Sequence, residues 1–298
     1  MMASCWTWNV DPVIIDIAGP IQIRWYGLCF LGVFYFGYML LRWQMVRAGR
    51  HPSNAERFVN WAVVGTLVGA WFGHRLFYEW DKVLASPLYL IDIRKGIAGL
   101  SSHGATVGLI VTIVLFSRRF RIPYGEFFDR FMWAAALSGV LVRLGNFFNS
   151  EVVGRPSDVP WAVCLPRYDV PHHLAATPRH PTQLYEFFIG LVIMGLLTLV
   201  DRVAGGEKRP RWLLTGTYFA SYFGARFGVE FFKEQQGGVP DEWRVTTGAL
   251  LSIPFCLLGV GLIVYSLVKR QPASEGRSTL DDAPVVTPGA GPRYTGRP

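Results

Sequence analysis

Charged residues are scarce in this 298-residue chain. Only 17% of its residues are Asp, Glu, Lys or Arg, whereas soluble domains average about 25%. Hydrophobic residues make up 51% of the chain and the mean hydropathy is +0.28. This composition excludes disorder or a fibrous structure for most of the sequence and makes an ordinary cytosolic enzyme a poor fit. The formal net charge is nevertheless +8, so the placement of the basic residues needs an explanation.

Cysteine is also rare, and the N-terminus lacks the features of a secretion signal. The four cysteines are Cys5, Cys29, Cys164 and Cys256. They form no CxxC pair and have no histidine at zinc-ligand spacing, so we expect ordinary apolar residues without a metal or redox role. The first 20 residues have no basic segment before an uninterrupted apolar run, so no cleavable signal peptide is predicted.

Long apolar runs are what the chain has in abundance. A helix needs roughly 20 mostly apolar residues to cross a bilayer. Seven runs approach that length, at residues 25–41, 58–72, 97–116, 127–147, 183–200, 212–232 and 246–268. No soluble fold accounts for seven such runs. The sequence therefore predicts an all-α polytopic membrane protein, with about seven transmembrane helices in one domain over residues 1–270.

The basic residues alternate between the loops that join these runs. Basic residues follow the first, third, fifth and seventh runs: Arg42, Arg47, Arg50 and Arg57; Arg118, Arg119 and Arg121; Arg202, Lys208, Arg209 and Arg211; Lys269 and Arg270. Since Lys and Arg are retained on the cytoplasmic side, the N-terminus is predicted outside and the C-terminus in the cytoplasm. Residues 149–182 then form a small external cap, and residues 271–298 a disordered cytoplasmic tail.

Polar residues within or beside the runs collect near the predicted external leaflet. They include Tyr26, His103, Arg143, Asn146, Tyr222, Arg226 and Glu230. Ionisable groups inside a membrane are costly, so each is a candidate functional residue. Their convergence from several segments predicts one site in that leaflet. A metal site is not expected, because His172, His173 and His180 have no carboxylates at ligand spacing.

Two segments suggest how an anion could be held. Tyr222, Arg226 and Glu230 are spaced four residues apart and share one helix face. They represent either an Arg–Glu pair that stabilises the helix bundle or an arginine held by its glutamate and offered to an anionic group.

The second segment ends the fourth run. Arg143 and Asn146 share a helix face there, and Asn149, Glu151 and Gly154 would form a polar turn above the membrane. A polar helix end followed by a turn is common, but an arginine inside the run is not. His103 is either a structurally satisfied histidine or a proton acceptor at neutral pH.

These residues together resemble a known family. The segment 143–154, Arg-Leu-Gly-Asn-Phe-Phe-Asn-Ser-Glu-Val-Val-Gly, is similar to the signature of the bacterial prolipoprotein diacylglyceryl transferases. Supporting motifs occur in the order expected at residues 23–27, 74–78, 102–104, 179–186 and 222–231. Ala105 and Val142 depart from the family pattern, which has glycine at both positions.

The resemblance implies a reaction and a set of partners. Phosphatidylglycerol would donate its diacylglyceryl group to the lipobox cysteine of an exported prolipoprotein, forming a thioether and releasing glycerol phosphate. The expected location is the bacterial inner membrane, with the active site towards the external leaflet. No cofactor and no nucleic-acid partner are implied. The alternative left open by the residues alone is a transporter or flippase for an anionic lipid or solute.

The resemblance also suggests roles for the candidate residues. His103 would assist deprotonation of the thiol, whose ordinary pKa is about 8.5. Arg143 and Arg226 would hold the phosphate and stabilise its charge as it leaves. The headgroup and the arginines would be positioned by the remaining substrate-binding candidates, which are Tyr26, Asn146, Glu151, Gly154, Tyr222 and Glu230.

Overall fold

A computed structural model of the chain describes residues 5–18, 21–92, 99–234, 246–276 and 278–281. The chain divides into two compact units. The first unit comprises residues 1–41 and 125–274, and the second comprises residues 42–124 and 275–298. Each unit is described separately below.

Helices account for most of the described residues. They are α1 (Trp25–Arg47), α2 (Ser53–Tyr78), α3 (Trp80–Ala85), α4 (Ser102–Phe120), α5 (Tyr124–Asn149), α6 (Pro166–Asp169), α7 (Thr182–Val203), α8 (Leu213–Glu230) and α9 (Thr247–Lys269). Short 3₁₀ helices occupy Pro87–Ile91, Val170–His172 and Gly206–Lys208.

Each of the seven predicted runs overlaps one long helix, although α4 begins only at Ser102 and residues 97 and 98 of the third run lie outside the described residues. These helices are α1, α2, α4, α5, α7, α8 and α9. Within the described part of the chain, α1, α5, α7 and α9 are long and apolar enough to cross a membrane by length and composition. The chain is thus a helical membrane protein.

The described residues include five short strands, so the prediction of a purely α-helical protein was incomplete. β2 (Val13–Ala18) pairs with β3 (Ile21–Arg24) in an antiparallel hairpin just before α1. β4 (Val163–Cys164) lies between β1 (Trp6–Thr7), which is parallel to it, and β5 (Pro178–Arg179), which is antiparallel. β1, β4 and β5 have only two residues each, too few to show an alternation of polar and apolar residues, which is why sequence patterns missed these three strands.

The core of the first unit lies between α5, α7 and α8. Its buried side chains are Met132, Trp133, Ala136, Ile193, Leu197 and Leu214. α8 also packs closely on α9, because a Cβ at Gly216 would meet the Gly259 carbonyl at 2.8 Å. The core therefore fixes the relative positions of the helices that carry most of the candidate residues.

A buried ionic group sits where α8 begins, next to the start of α5. Asp129 accepts hydrogen bonds from the backbone amides of Trp212 and Thr215, both at 2.8 Å, and from the Thr215 hydroxyl at 2.7 Å. These bonds satisfy amides that an α-helix leaves unpaired in its first turn.

Salt bridges surround this carboxylate. Arg130 pairs with Glu126 at 3.1 Å and Glu207 at 2.7 Å. Arg209 pairs with Asp201 at 2.8 Å. We call the six residues Glu126, Asp129, Arg130, Asp201, Glu207 and Arg209 the α8-cap cluster.

Two cysteines correct the expectation that all four are ordinary apolar residues. Cys5 and Cys164 form a disulfide that joins positions 159 residues apart, whereas Cys29 and Cys256 are free thiols. The pairing of β1 with β4 brings the two Cα atoms to 5.7 Å. Such a long-range contact leaves no local spacing signal in the sequence.

In the second unit, α2 and α4 pack through facing glycines. A Cβ added at Gly69 would meet the Gly108 Cα at 2.7 Å, and one at Gly104 would meet the Gly73 Cα at 2.7 Å. Gly65, Gly69 and Gly73, spaced four residues apart on α2, thus form a stripe that lets the two helices approach closely.

The described start of the C-terminal tail makes specific contacts within the second unit. Asp281 accepts hydrogen bonds from Arg50 at 3.1 Å and from Asn54 at 3.0 Å, and Ser278 donates to Asn54 at 2.8 Å. Hydrogen bonds from the His51 and Ser278 amides help lower the pKa of Asp281, although its burial alone would raise it. The predicted disorder over 271–298 stays a prediction, and residues 277 and 282–298 lie outside the described part.

Candidate active site

The C-terminal end of α5 carries a chain of polar contacts. Arg143 donates to the Asn146 side-chain oxygen at 3.1 Å, and the Asn146 amide donates to Glu151 at 3.3 Å. Asn149 also donates to Glu151, at 2.6 Å. The sequence places Arg143 and Asn146 three residues apart on one helix face, and the turn after α5 returns Glu151 to them. The predicted polar turn is therefore built around the Glu151 carboxylate.

Glu186, in the second turn of α7, joins the two arginines. Its Oε2 atom lies 2.9 Å from Arg143 Nε, and its Oε1 atom lies 3.7 Å from Arg226 Nη1. Arg226 also pairs with Glu230 at 3.3 Å, one turn later on α8. The C-terminal parts of α5 and α8 and the N-terminal part of α7 thus meet at the Glu186 carboxylate.

Lys233 completes the arrangement just beyond α8. Its ammonium lies 3.1 Å from Glu186 Oε1 and 2.8 Å from Glu230 Oε1. Glu230 accepts a further bond from the Thr246 hydroxyl at 2.8 Å, and Thr246 caps α9. We call Arg143, Glu186, Arg226, Glu230 and Lys233 the site cluster. Its three cations and two carboxylates give a formal charge of +1.

Exposure divides the site cluster into two kinds of residue. The side chains of Glu186, Glu230 and Lys233 are only 6–7% exposed, whereas those of Arg143 and Arg226 are 15% and 27% exposed. The carboxylates are therefore enclosed while the guanidinium groups remain partly accessible. A guanidinium stays charged and donates in a planar fork that suits phosphate oxygens.

Two glycines allow close approaches around the cluster. A Cβ at Gly145 would meet the Tyr26 ring at 2.8 Å, so the glycine lets Tyr26 of α1 lie against α5. A Cβ at Gly154 would overlap the His180 carbonyl and meet the Phe232 carbonyl at 2.9 Å. Gly154 also forms a backbone bridge with Lys233. Gly154 therefore holds the segment after the polar turn against the segment that carries the lysine.

Tyr222 and His180 border the site cluster. Tyr222 is one turn before Arg226 on α8, and its ring stacks on Tyr218 with centroids 5.4 Å apart. His180 Nδ1 lies 3.0 Å from the Tyr185 hydroxyl. Burial lowers the pKa of His180, and the charge of Asp158 opposes this shift.

His103 belongs to the second unit, unlike the other eight predicted site residues. It is the second residue of α4 and is exposed. The preceding Ser101 caps the helix by accepting a hydrogen bond from the Gly104 amide at 3.2 Å. The assignment of His103 as the proton acceptor remains a prediction.

Sequence reasoning did not select Glu186 or Lys233 as site residues. Glu186 lies within the supporting motif at residues 179–186, but nothing local shows that it contacts both arginines. Lys233 follows Glu230 by three residues at the end of an apolar run, and this i, i+3 spacing is the one available signal. Acidic and basic residues spaced in this way occur on many helix surfaces, so the signal is weak.

Comparison with known proteins gives the family. The sequence model described as prolipoprotein diacylglyceryl transferase matches residues 12–265. The chain belongs to the prolipoprotein diacylglyceryl transferase family. It is similar to proteins named phosphatidylglycerol–prolipoprotein diacylglyceryl transferase from Tolumonas auensis, with 36% identity over 88% of this chain and 98% of the relative, and from Chloroherpeton thalassium, with 38% identity over 89% and 95%.

Coverage on both sides is nearly complete. A third transferase of that name, from Nitrobacter hamburgensis, is 35% identical over 91% of this chain and 94% of its own length. The family match includes α1 to α8 and most of α9, and therefore the whole site cluster. The resemblance seen in the sequence motifs is confirmed at the level of the family.

Proposed function

We propose that this chain transfers the diacylglyceryl group of phosphatidylglycerol to the lipobox cysteine thiol of exported prolipoproteins. Family membership supports this activity, since the relatives are named for it. The observation that carries the proposal is the pair of partly exposed arginines, Arg143 and Arg226, held by one buried glutamate. An anionic lipid headgroup that reaches these arginines meets two phosphate-binding side chains already in position.

The reaction requires a nucleophile and a leaving group. The cysteine thiol loses its proton, and its sulfur attacks the glycerol carbon that carries the phosphate. A carbon–sulfur bond forms, the carbon–oxygen bond to phosphate breaks, and glycerol phosphate leaves with the bonding electrons. Arg143 and Arg226 stabilise the negative charge that grows on the phosphate. The thiol proton needs an acceptor, a role that the family resemblance suggests for His103.

The buried carboxylates and Lys233 set the charge that the phosphate meets. Without Lys233, the positive charges of Arg143 and Arg226 would be cancelled by the negative charges of Glu186 and Glu230. Lys233 contacts both carboxylates and so leaves the site cluster with a formal charge of +1. A phosphodiester carries a single negative charge, which this excess complements.

The other candidates position the headgroup and the arginines. Asn146 and Glu151 orient Arg143 through their hydrogen bonds, and Glu230 orients Arg226. Tyr26 and Tyr222 place phenol groups beside α5 and Arg226, where each can bind lipid oxygens. Gly154 admits the close approach of the surrounding backbone.

We further propose seven transmembrane helices with the N-terminus outside, in the bacterial inner membrane. The alternation of basic loops supports this orientation. The Cys5–Cys164 disulfide supports it independently, because disulfides persist in oxidising compartments and both cysteines lie on the N-terminal or cap side. Residues 149–182 then form an external cap next to the site, which opens to the external leaflet.

A product assay tests the activity. Purified protein is incubated with phosphatidylglycerol vesicles and a lipobox peptide, and the peptide is weighed by mass spectrometry. We expect a mass gain of one diacylglyceryl unit on cysteine and release of glycerol phosphate. Movement of unmodified lipid across the vesicle membrane, with no modified peptide, would instead identify a transporter.

The Arg143→Ala variant tests the assigned site. Loss of a positioned charge-stabilising donor reduces kcat by about 100- to 1,000-fold in other enzymes, so we expect almost no thioether product. Arg24→Ala, which removes an exposed arginine of β3, is the matched control and should remain active. Near-normal turnover by Arg143→Ala would refute the phosphate-binding role.

A further inference from the structure

A short N-terminal segment is fastened next to the candidate site. We call residues 5–8 the N-terminal strap. The Cys5–Cys164 disulfide and the parallel pairing of Trp6 with Val163 attach it to β4. The Trp8 backbone amide also donates to the Cys164 carbonyl at 2.9 Å. The strap precedes residue 12, where the match to the family begins, so the family resemblance assigns it no role.

Trp8 reaches from the strap to the last turn of α5. Its indole Nε1 donates to the Phe147 carbonyl at 3.0 Å. Its ring lies 4.5 Å from the Phe147 ring and 5.5 Å from the Phe148 ring, between centroids. The last carbonyls of a helix have no partner within the helix. Trp8 therefore satisfies and fixes the end of α5 from outside.

The turn that follows α5 needs such support. Ser150 and Val152 both have φ of +55°, in the left-handed region, which costs about 1 kcal/mol or more for a residue with a side chain. From α7, Gln183 donates to the Glu151 carbonyl at 2.7 Å and Thr182 donates to the Val152 carbonyl at 3.1 Å. The turn is thus held by α7 on one side and by Trp8 at its start.

The contacts of Trp8 adjoin those that orient Arg143. Asn146 precedes Phe147, and its side chain links Arg143 to Glu151. The Glu151 amide donates to the Asn146 carbonyl at 2.9 Å, while the Ser150 amide donates to the same Phe147 carbonyl as Trp8, at 3.1 Å. A shift of the Phe147 carbonyl consequently moves Asn146 and Glu151 together.

We propose that Trp8, anchored by the Cys5–Cys164 disulfide, is a positioning residue that keeps Asn146 and Glu151 aligned with Arg143 for lipid headgroup binding. The proposal rests on the proposed function of Arg143 and the polar turn. It makes productive binding of phosphatidylglycerol dependent on a segment outside the family match and on an oxidised cysteine pair.

The Trp8→Phe variant isolates the hydrogen bond, because it keeps an aromatic ring against Phe147 and removes the indole donor. We expect KM for phosphatidylglycerol to rise about fivefold, the change that corresponds to one lost hydrogen bond. KM for the lipobox peptide and the unfolding temperature should stay near their original values. Trp6→Phe is the matched control, since Trp6 lies on the same strap but is 56% exposed, and its kinetics should not change.

Paired cysteine variants test the anchor. Cys5→Ser with Cys164→Ser should raise KM for phosphatidylglycerol in the same direction as Trp8→Phe. Cys29→Ser with Cys256→Ser removes the two free thiols and should leave KM unchanged. If the Cys5 and Cys164 variant does not fold, reduction of folded wild-type enzyme with a phosphine, followed by removal of the phosphine, replaces it.

The outcomes separate this proposal from the proposed function. An unchanged KM in Trp8→Phe, with or without a lower unfolding temperature, would show that the strap is only structural. If Arg143→Ala is inactive in the same assay, an unchanged KM in Trp8→Phe overturns only the role of Trp8 and leaves the proposed function in place. Retained activity in Arg143→Ala would instead overturn the site on which both proposals depend.

Discussion

The two ends of α5 carry two different groups of buried charge. Near its start, the α8-cap cluster places Asp129 on the first amides of α8 and encloses Arg130, whose side chain is 0% exposed. Near its end, the site cluster places Arg143 against Glu186 but leaves 15% of the arginine side chain exposed. One helix therefore contributes to a closed ionic group and to an open one.

The difference shows that buried charge alone does not identify a functional site. Every charged side chain of the site cluster has a partner, as those of the α8-cap cluster do. What distinguishes the site cluster is that its anions are enclosed while its two guanidinium groups stay partly accessible. An accessible cation can exchange part of its protein contacts for a ligand, whereas a fully enclosed pair chiefly fixes helices in place.

The largest effect should come from opening the closed group. Asp129→Ala removes the acceptor of the Trp212 and Thr215 amides and leaves them buried without that partner. Removing one member of a buried charged network costs about 3–5 kcal/mol, so we expect a loss of about 3 kcal/mol in the free energy of unfolding. Denaturant unfolding in detergent measures this loss.

The comparison requires that the folded Asp129→Ala protein still works. Below its unfolding temperature, its KM for phosphatidylglycerol should match that of the wild type. Asp16→Ala is the control, because Asp16 is an exposed aspartate in β2 and its loss should change stability by less than about 0.5 kcal/mol. A raised KM in folded Asp129→Ala would contradict the assignment of the α8-cap cluster to stability and of the site cluster to lipid binding.

The next largest effect should come from the site cluster. Lys233→Met removes the ammonium that contacts Glu186 and Glu230 and lowers the formal charge of the cluster from +1 to zero. The carboxylates then neutralise the arginines more completely. We expect KM for phosphatidylglycerol to rise about thirtyfold, because truncating one partner of a buried charge pair costs about 2 kcal/mol or more. Steady-state kinetics at fixed lipobox peptide concentration measure the change.

Lys233→Arg separates charge from stability. It keeps the positive charge within reach of both glutamates, so it should restore most of the affinity for phosphatidylglycerol. If Lys233→Met and Lys233→Arg bind the lipid equally well, the charge of Lys233 is irrelevant and the proposed electrostatic role is wrong. Unfolding temperatures of both variants show whether any kinetic change follows from misfolding.

The sequence predicted the long helices and the polar turn well, because both depend on local patterns. Apolar runs predicted the helices, and Asn149, Glu151 and Gly154 at the end of the fourth run predicted the turn. It could not predict the Cys5–Cys164 disulfide, the Glu186 bridge or the Asp129 cap. Each of these joins residues that are distant in the chain, so no local period or spacing records them.

His180 offers the smallest effect and tests where the site cluster ends. Burial lowers the pKa of His180 despite the opposing charge of Asp158, so the unfolded chain binds more protons than the folded protein just below the ordinary histidine pKa of about 6.5. The contribution of His180 to stability is therefore complete above that pH and is lost as the pH falls through its folded pKa. His180→Gln should reduce the fall in unfolding temperature between pH 7.5 and pH 5.5 by about 1 °C.

The activity of His180→Gln at pH 7.5 should change by less than about twofold. His180 contacts Tyr185 and the Gly154 backbone and is not part of the accessible arginine pair. A large loss of activity in His180→Gln, with unchanged stability, would show that His180 belongs to the functional site and not to the buried polar residues that only stabilise the fold.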